Sequence, residues 1–392
     1  MITRRTTLCL GFSQLIGWGI SYYLIGGFGE AIAADLGWSR DLVYGGFSAG
    51  LVVMGLTSPL TGSLIDRHGG RVVMVAGSVL CALGCAGLAL SYSVAAYYTA
   101  WICLGFAMRL ILYDAAFAAL ARLGGPGARR QIAQITLLGG LASTVFWPIG
   151  NALAGVIGWR GALFVYAGFA LLTIPLHLAI PSGRYGEAGS AARAAEVRPL
   201  AGTPGERLVA GTLYAVIATV TNFLNSAMSA HMIGILAGLG IAAAASVWIA
   251  TLRGVGQSLA RLSEVLFGRR LDPLTLNLLA AILMPFCFVA GLWSGSLAVA
   301  ALAFAFCYGA ANGISTITRG TLPLILFDHR SYGAVVGKML VPGFLLSAGA
   351  PVIYAVVIER FGDAAALELS IGLAGVSLIA AAALVVRFSP RR

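Results

Sequence analysis

The chain has 392 residues, 59% of them hydrophobic and only 10% charged, with a formal net charge of +11 and a mean hydropathy of +0.92. Soluble domains carry about 25% charged residues, so a water-soluble globular fold is excluded. The surplus of arginine then has to come from something other than a polyanionic partner.

The apolar residues fall into twelve runs, each near the roughly 20 residues that cross about 30 Å of hydrocarbon at 1.5 Å per residue. The opening MITRRTTLCLGF has the outline of a secretory or twin-arginine signal. With no small-residue cleavage site leading into a soluble mature chain, the first run (8–30) is read as a retained span. Runs 41–64, 72–91, 95–120, 131–157 and 161–180 complete a first group of six. Segment 181–207 is polar and rich in Gly, Ala and Arg, as a linker is. Runs 208–234, 243–267, 275–293, 297–318, 332–358 and 364–386 form the second six. The expected fold is an all-α polytopic membrane protein of twelve transmembrane helices. It has an N-terminal bundle over 1–180, a cytoplasmic linker over 181–207 and a C-terminal bundle over 208–392.

With the N-terminus inside, the inner segments hold nineteen arginines, from Arg4 and Arg5 to Arg391 and Arg392. The outer loops hold only Arg40, Arg160 and Arg360. This is the positive-inside bias, and it predicts that both termini are cytoplasmic. The basic charge reflects topology, so the expected surroundings are a lipid bilayer and not nucleic acid.

The two groups of six carry matching features. Asp66 and Arg71 follow the second run as Glu264 and Arg270 follow the eighth, at offsets of 198 and 199. Arg122 and Arg319 follow runs four and ten at 197, and Trp159-Arg160-Gly161 and Arg360-Phe361-Gly362 follow runs five and eleven at about 201. Near-constant offsets indicate a parallel duplication of six spans, as in many secondary transporters.

The segment Gly62 to Arg71, GSLIDRHGGR, resembles the loop 2–3 signature of the major facilitator superfamily: Gly, then Asp-Arg, then Gly-x-Arg. The twelve spans, central linker and degenerate second copy extend that resemblance over the whole chain. Within the superfamily, the Gly-rich first run, the loop Leu36-Gly37-Trp38-Ser39-Arg40 and the run after it are similar to bacterial monocarboxylate transporters and oxalate/formate antiporters. The resemblance implies alternating access around a central site. Asp66 with Arg122, Glu264 with Arg319, and Arg67, Arg71 and Arg270 beside them are candidate inner-gate charges. The plainer alternative is that they anchor loops and set topology.

A charge near the bilayer centre costs about 2.5–3.5 kcal/mol, so each one asks for a partner or a function. Arg109 lies about 14 residues, or roughly 21 Å, into the fourth run, and Arg253 about 10 residues, or 15 Å, into the eighth. Arg109 matches the arginine of a second superfamily motif, although Leu112 and Tyr113 stand where Gln and Gly are usual. Arg253 matches the carboxylate-binding arginine of the monocarboxylate group, with Arg261 as the competing match. In an unbroken helix Asp114 points about 140° away from Arg109, so the two are not expected to pair. Tyr113, at i+4, shares the face of Arg109. Asp114 then either caps a neighbouring helix or carries a coupling proton. Other polar candidates at this level are Gln14, Trp18 and Tyr22 on span one, Trp147 on span five, Asn222 and Asn225 on span seven and Asn312 on span ten. Each has the alternative of a satisfied interhelical contact. His231, near the outer end of span seven, is read as a wet or hydrogen-bonded histidine in preference to a proton carrier, and Pro148 and Pro351 predict bends in spans five and eleven.

Cys81 and Cys85 share a helix face, but no His or carboxylate accompanies them, so they read as packing residues and neither metal nor cofactor is expected. GAVVGK (Gly333 to Lys338) lacks the glycine spacing and the following Ser/Thr of a phosphate loop. No catalytic grouping points to an enzyme. The expected function is a monomeric secondary transporter for a small organic anion, most simply a monocarboxylate, with proton coupling through Asp114 and residence in a bacterial inner membrane. The alternatives are a multidrug or metabolite exporter of the same superfamily and, remotely, a membrane-embedded enzyme or receptor.

Overall fold

The computed structural model describes residues 2–124, 129–182, 200–267, 272–327 and 332–389. Side chains at 58–59, 62–63, 66, 121, 124, 129–130, 132–133, 265, 267, 320, 324 and 332–342 fall outside the description. All regular structure among the described residues is helical.

The first run is α1 (Arg4–Gly17), a π-helical turn at Trp18–Tyr22 and α2 (Leu24–Leu36). In the turn the Tyr23 amide donates to the Trp18 carbonyl at 3.0 Å, one residue further back than in an α-helix. Helices α3 (Arg40–Leu56) and α4 (Ser58–His68) cover the second run and α5 (Gly70–Ala89) the third. The fourth is split into α6 (Val94–Ile111) and α7 (Tyr113–Gly124). The fifth is α8 (Arg129–Gly140) and the first part of α9 (Ala142–Leu178), and the sixth is the remainder of α9 beyond Gly158. One helix covers each later run: α10 (Pro204–Gly238), α11 (Ala243–Phe267), α12 (Pro273–Leu292), α13 (Ala298–Leu326), α14 (Tyr332–Phe361) and α15 (Asp363–Phe388).

Among the described residues nine helical stretches are long and apolar enough to cross a membrane. One of them, the 45-residue stretch Gln134–Leu178, contains two of the expected runs. The runs missing from the nine have plain reasons: α3 is only 17 residues long, and α11 carries Arg253, Arg261 and Glu264. The break in span five falls at Leu141, and α9 and α14 continue through Pro148 and Pro351.

Local chemistry sets the helix ends. Thr203 Oγ1 accepts the Glu206 amide at 3.2 Å and Glu206 Oε2 accepts the Thr203 amide at 3.1 Å, a capping box ahead of Pro204. Gly158 (φ 71°) and Gly362 (φ 86°) make the turns after spans five and eleven, a backbone region that favours glycine. Their separation of 204 matches that of Gly37 and Gly240, 203, which also have positive φ. Conformation therefore pairs Gly362 with Gly158, three residues from the match that composition suggests.

Two glycine seams position the intramembrane arginines. In the first half a Cβ at Gly105 would strike the Gly50 carbonyl, so α6 and α3 run almost backbone to backbone. In the second half a Cβ at Gly309 would strike the Arg253 carbonyl and one at Gly313 the Gln257 carbonyl, locking α13 onto α11. Small residues drive this close packing in bilayers, where lipid is as apolar as leucine.

A candidate central anion cavity

The two halves enclose a cavity with about 1190 Å³ of empty space, part of it open to solvent. It reaches Asn277 and Leu322, near the ends of α12 and α13 that adjoin the arginine-rich loops. At the arginine-poor end the halves meet. Gly26 lies against the Ser229 carbonyl, the Tyr44 and His231 rings are 4.1 Å apart, and Tyr22 Oη and Ser226 Oγ share a hydrogen bond of 3.0 Å. His231 is buried, with its Nε2 2.7 Å from the Pro351 carbonyl, as the hydrogen-bonded reading expects.

Three arginines line this cavity, Arg109, Arg261 and Arg319, and among its described lining residues Asp114 is the one acid. Arg109 Nη1 donates to Asp114 Oδ2 at 2.5 Å, which overturns the expectation that the two do not pair. The cause is the interruption of span four: Leu112 is extended (φ −80°, ψ −173°), so α7 restarts in a new direction and brings Asp114 round to Arg109. The Arg109 side chain is 11% exposed and that of Asp114 46%, which puts the carboxylate on the wet side of the pair.

Tyr113 leaves Arg109 for the same reason. Its hydroxyl accepts from Arg261 Nη1 at 3.2 Å, and the same nitrogen donates to the Thr136 carbonyl at 2.5 Å. With its amide oxygen turned toward the guanidinium, Gln257 accepts from Arg261 Nη2 at 2.7 Å. Arg261 is 1% exposed and its Nε has no partner. It thus ties the second half to the first with most of its donors and keeps one uncommitted.

Arg253, also completely buried, sits behind this surface and does not line the cavity. Its Nη2 donates to Asn225 Oδ1 at 2.7 Å and to Ser229 Oγ at 3.0 Å. Its guanidinium carbon lies 5.2 Å from the ring centroids of both Tyr23 and Tyr308 and 6.0 Å from that of Trp147, a cation–π cage. Of the two competing matches on α11, Arg261 is the one that faces the cavity. Asn225 joins the layers: it also accepts from Asn312 Nδ2 at 3.1 Å and donates to Tyr22 Oη at 3.3 Å.

Trp18, Tyr22, Asn222 and Asn312 line the cavity. Gln14 and Trp147 do not, because each is spent on backbone: Gln14 Nε2 donates to the Ile111 carbonyl at 2.7 Å and Trp147 Nε1 to the Tyr23 carbonyl at 3.1 Å. Arg319 Nη1 donates to Asn222 Oδ1 at 2.6 Å inside the cavity, and among the described residues it makes no ion pair with the half-buried Glu264. Arg122 Nη1 donates to the Ile65 carbonyl at 2.6 Å and Arg71 Nε to the Ile180 carbonyl at 2.6 Å, while Arg67 is exposed. The side chains of Asp66 and Arg270 lie outside the described residues.

Sequence reasoning missed Gln257 and Tyr23. Gln257 stands one turn before Arg261, a second polar residue on the same face of an apolar run, and that spacing was the available signal.

Two helical halves closed at one end around a polar, arginine-lined cavity are the architecture of a polytopic membrane transporter. Residues 8–351 match the profile of the Major Facilitator Superfamily, and the chain belongs to that family. It is 27% identical over 173 residues to Monocarboxylate transporter 1 of Homo sapiens, a match that spans 42% of this chain and 32% of the relative's length. Among solved structures, the nucleoside transporter NupG superposes with a TM-score of 0.75 at 14% identity, covering 98% of this chain and 100% of that one. That likeness establishes the fold.

Proposed function

We propose that the protein moves a small organic anion, in the first instance a monocarboxylate, by rocking its two bundles, 1–180 and 208–392, around the central cavity. One observation carries this reading: three arginines and a single acid among the described charged lining residues. Guanidinium suits carboxylate because its planar fork offers parallel donors, and a partly paired cationic cavity is most economically completed by an anion. The sequence relative whose name specifies monocarboxylate supports the same class.

With the arginine-rich loops in the cytoplasm of a bacterial inner membrane, the cavity opens inward and the seam at Gly26, Tyr44 and His231 is the closed outer gate. Asp114 is the proton-coupling group: an incoming carboxylate competes for Arg109 and leaves Asp114 without its partner, facing the water of the cavity. The protein works as a monomer.

A second reading, a carrier of a neutral polar metabolite, draws on the amides of Asn222, Asn225, Asn312 and Gln257 along the same wall and on the nucleoside specificity named for NupG. Uptake of radiolabelled pyruvate, lactate, oxalate, uridine and a neutral sugar into proteoliposomes separates the two. Saturable uptake of a carboxylate supports the anion reading, and uptake of neutral compounds alone sinks it.

A further inference from the structure

The charged part of the cavity accounts for a carboxylate but leaves another wall unexplained. Trp18, Tyr22, Tyr23 and Tyr113 all line the cavity and form one connected aromatic surface. The Trp18 ring is its centre, with centroids 4.9 Å from Tyr22, 5.0 Å from Tyr113 and 6.1 Å from Tyr23. The three tyrosines are almost wholly buried and Trp18 is only half-buried, so the indole is the ring left open to an occupant. The Tyr22 and Tyr113 hydroxyls are already engaged, with Ser226 and Asn225 and with Arg261 respectively. What this wall offers is therefore mainly ring surface, with the hydroxyls of Tyr22 and Tyr113 fixing it in place.

The wall adjoins the guanidinium of Arg261. That group lies 5.8 Å from the Tyr113 ring centroid, and Tyr113 in turn stands beside Trp18. Two buried nitrogens in this corner, Trp18 Nε1 and Arg261 Nε, have no partner in the structure. The π-helical turn at Trp18–Tyr22 is what sets Trp18, Tyr22 and Tyr23 toward one cavity, and such local departures from α-helix recur at functional sites. A two- or three-carbon acid would satisfy the arginine and leave the indole face wet. A planar ring one or two bonds from a carboxylate would cover both.

We propose that the preferred substrates are aryl-bearing carboxylates, with the ring stacked on Trp18 and the carboxylate on Arg261. The proposal rests on the anion reading of the same cavity and narrows it to a class.

A matched pair tests it, because phenylpyruvate and pyruvate share a headgroup and differ by one aromatic ring. Initial uptake of each is measured in proteoliposomes against protein-free vesicles, with uridine as a neutral ring compound. The expected kcat/KM is about tenfold higher for phenylpyruvate than for pyruvate, the scale of one well-packed ring contact. Trp18→Leu should remove most of that ratio and Trp18→Phe should restore it. A wild-type ratio at or below one, or a ratio that Trp18→Leu leaves unchanged, overturns the proposal while pyruvate uptake leaves the anion reading standing. Uridine uptake without carboxylate uptake overturns both. If Trp18→Leu does not reach the membrane, the wild-type ratio and Trp18→Phe decide the matter.

Discussion

Arg109 and Asp114 stand five residues apart in one apolar span and meet at 2.5 Å, because the helix between them breaks at Leu112. Arg109 is largely buried and Asp114 is half-exposed, so the pair meets the cavity from its carboxylate side. On the anion reading a substrate carboxylate competes with Asp114 for Arg109, and the partnership of Asp114 changes with occupancy.

The first prediction follows from that exchange. In wild-type proteoliposomes an inward proton gradient should stimulate carboxylate uptake, and in Asp114→Asn the ratio of uptake with and without the gradient should fall to about one. A variant that keeps the wild-type ratio would remove Asp114 from the coupling mechanism.

Arg261 and Arg253 should differ in kind. Arg261 faces the cavity and Arg253 lies behind it in a cage of Tyr23, Tyr308 and Trp147. Arg261→Lys, which keeps the charge but loses the fork, should raise the KM for a carboxylate about tenfold, and Arg253→Lys should raise it less. The reverse order, read from concentration dependences of uptake, would return the binding role to Arg253.

Stability gives a separate test of Arg261. Its hydrogen bonds to Tyr113 and to the Thr136 carbonyl hold α11 against the first half. Removing them leaves buried acceptors unpaired, at roughly 1–3 kcal/mol. Thermal unfolding of the detergent-solubilised protein should show Arg261→Ala several degrees below wild type, and an unchanged midpoint would mean that the tie carries no load.

The seam at Gly26 should control which end is open. A side chain there meets the Ser229 carbonyl across the two halves, so Gly26→Val disfavours closure at the arginine-poor end. In a His231→Cys background the substitution should raise the rate of labelling by a membrane-impermeant maleimide, and an unaltered rate would mean that the two halves do not part there.

Much of the architecture is written in the apolar runs, because hydrocarbon thickness imposes a length that hydropathy alone reveals, and the paired charges at offsets near 200 expose the duplication. The breaks are another matter. The break at Leu141 follows Gly139 and Gly140, but Leu112 interrupts its span with neither proline nor glycine beside it, so an unbroken helix was the natural reading there, and it put Asp114 and Tyr113 on the wrong sides of Arg109. Depth along a helix placed Arg253 and Arg261 only to within two turns. Which of the two faces the cavity depends on the glycine seam between α11 and α13, a three-dimensional fit that spacing in one chain does not encode. Trp147 and Gln14 were polar at the right level, yet their donors are consumed by backbone carbonyls of the neighbouring helices.

The central claim is that the arginines of this cavity hold the transported anion. Its most direct test is counterflow of radiolabelled pyruvate in proteoliposomes containing wild type or the single variants Arg109→Gln, Arg261→Gln and Arg319→Gln. The account predicts saturable exchange in wild type that other carboxylates inhibit and a neutral sugar does not, with exchange at least about tenfold weaker in Arg261→Gln. Carboxylate exchange at wild-type rates in all three variants, or no carboxylate exchange in wild type, would contradict it.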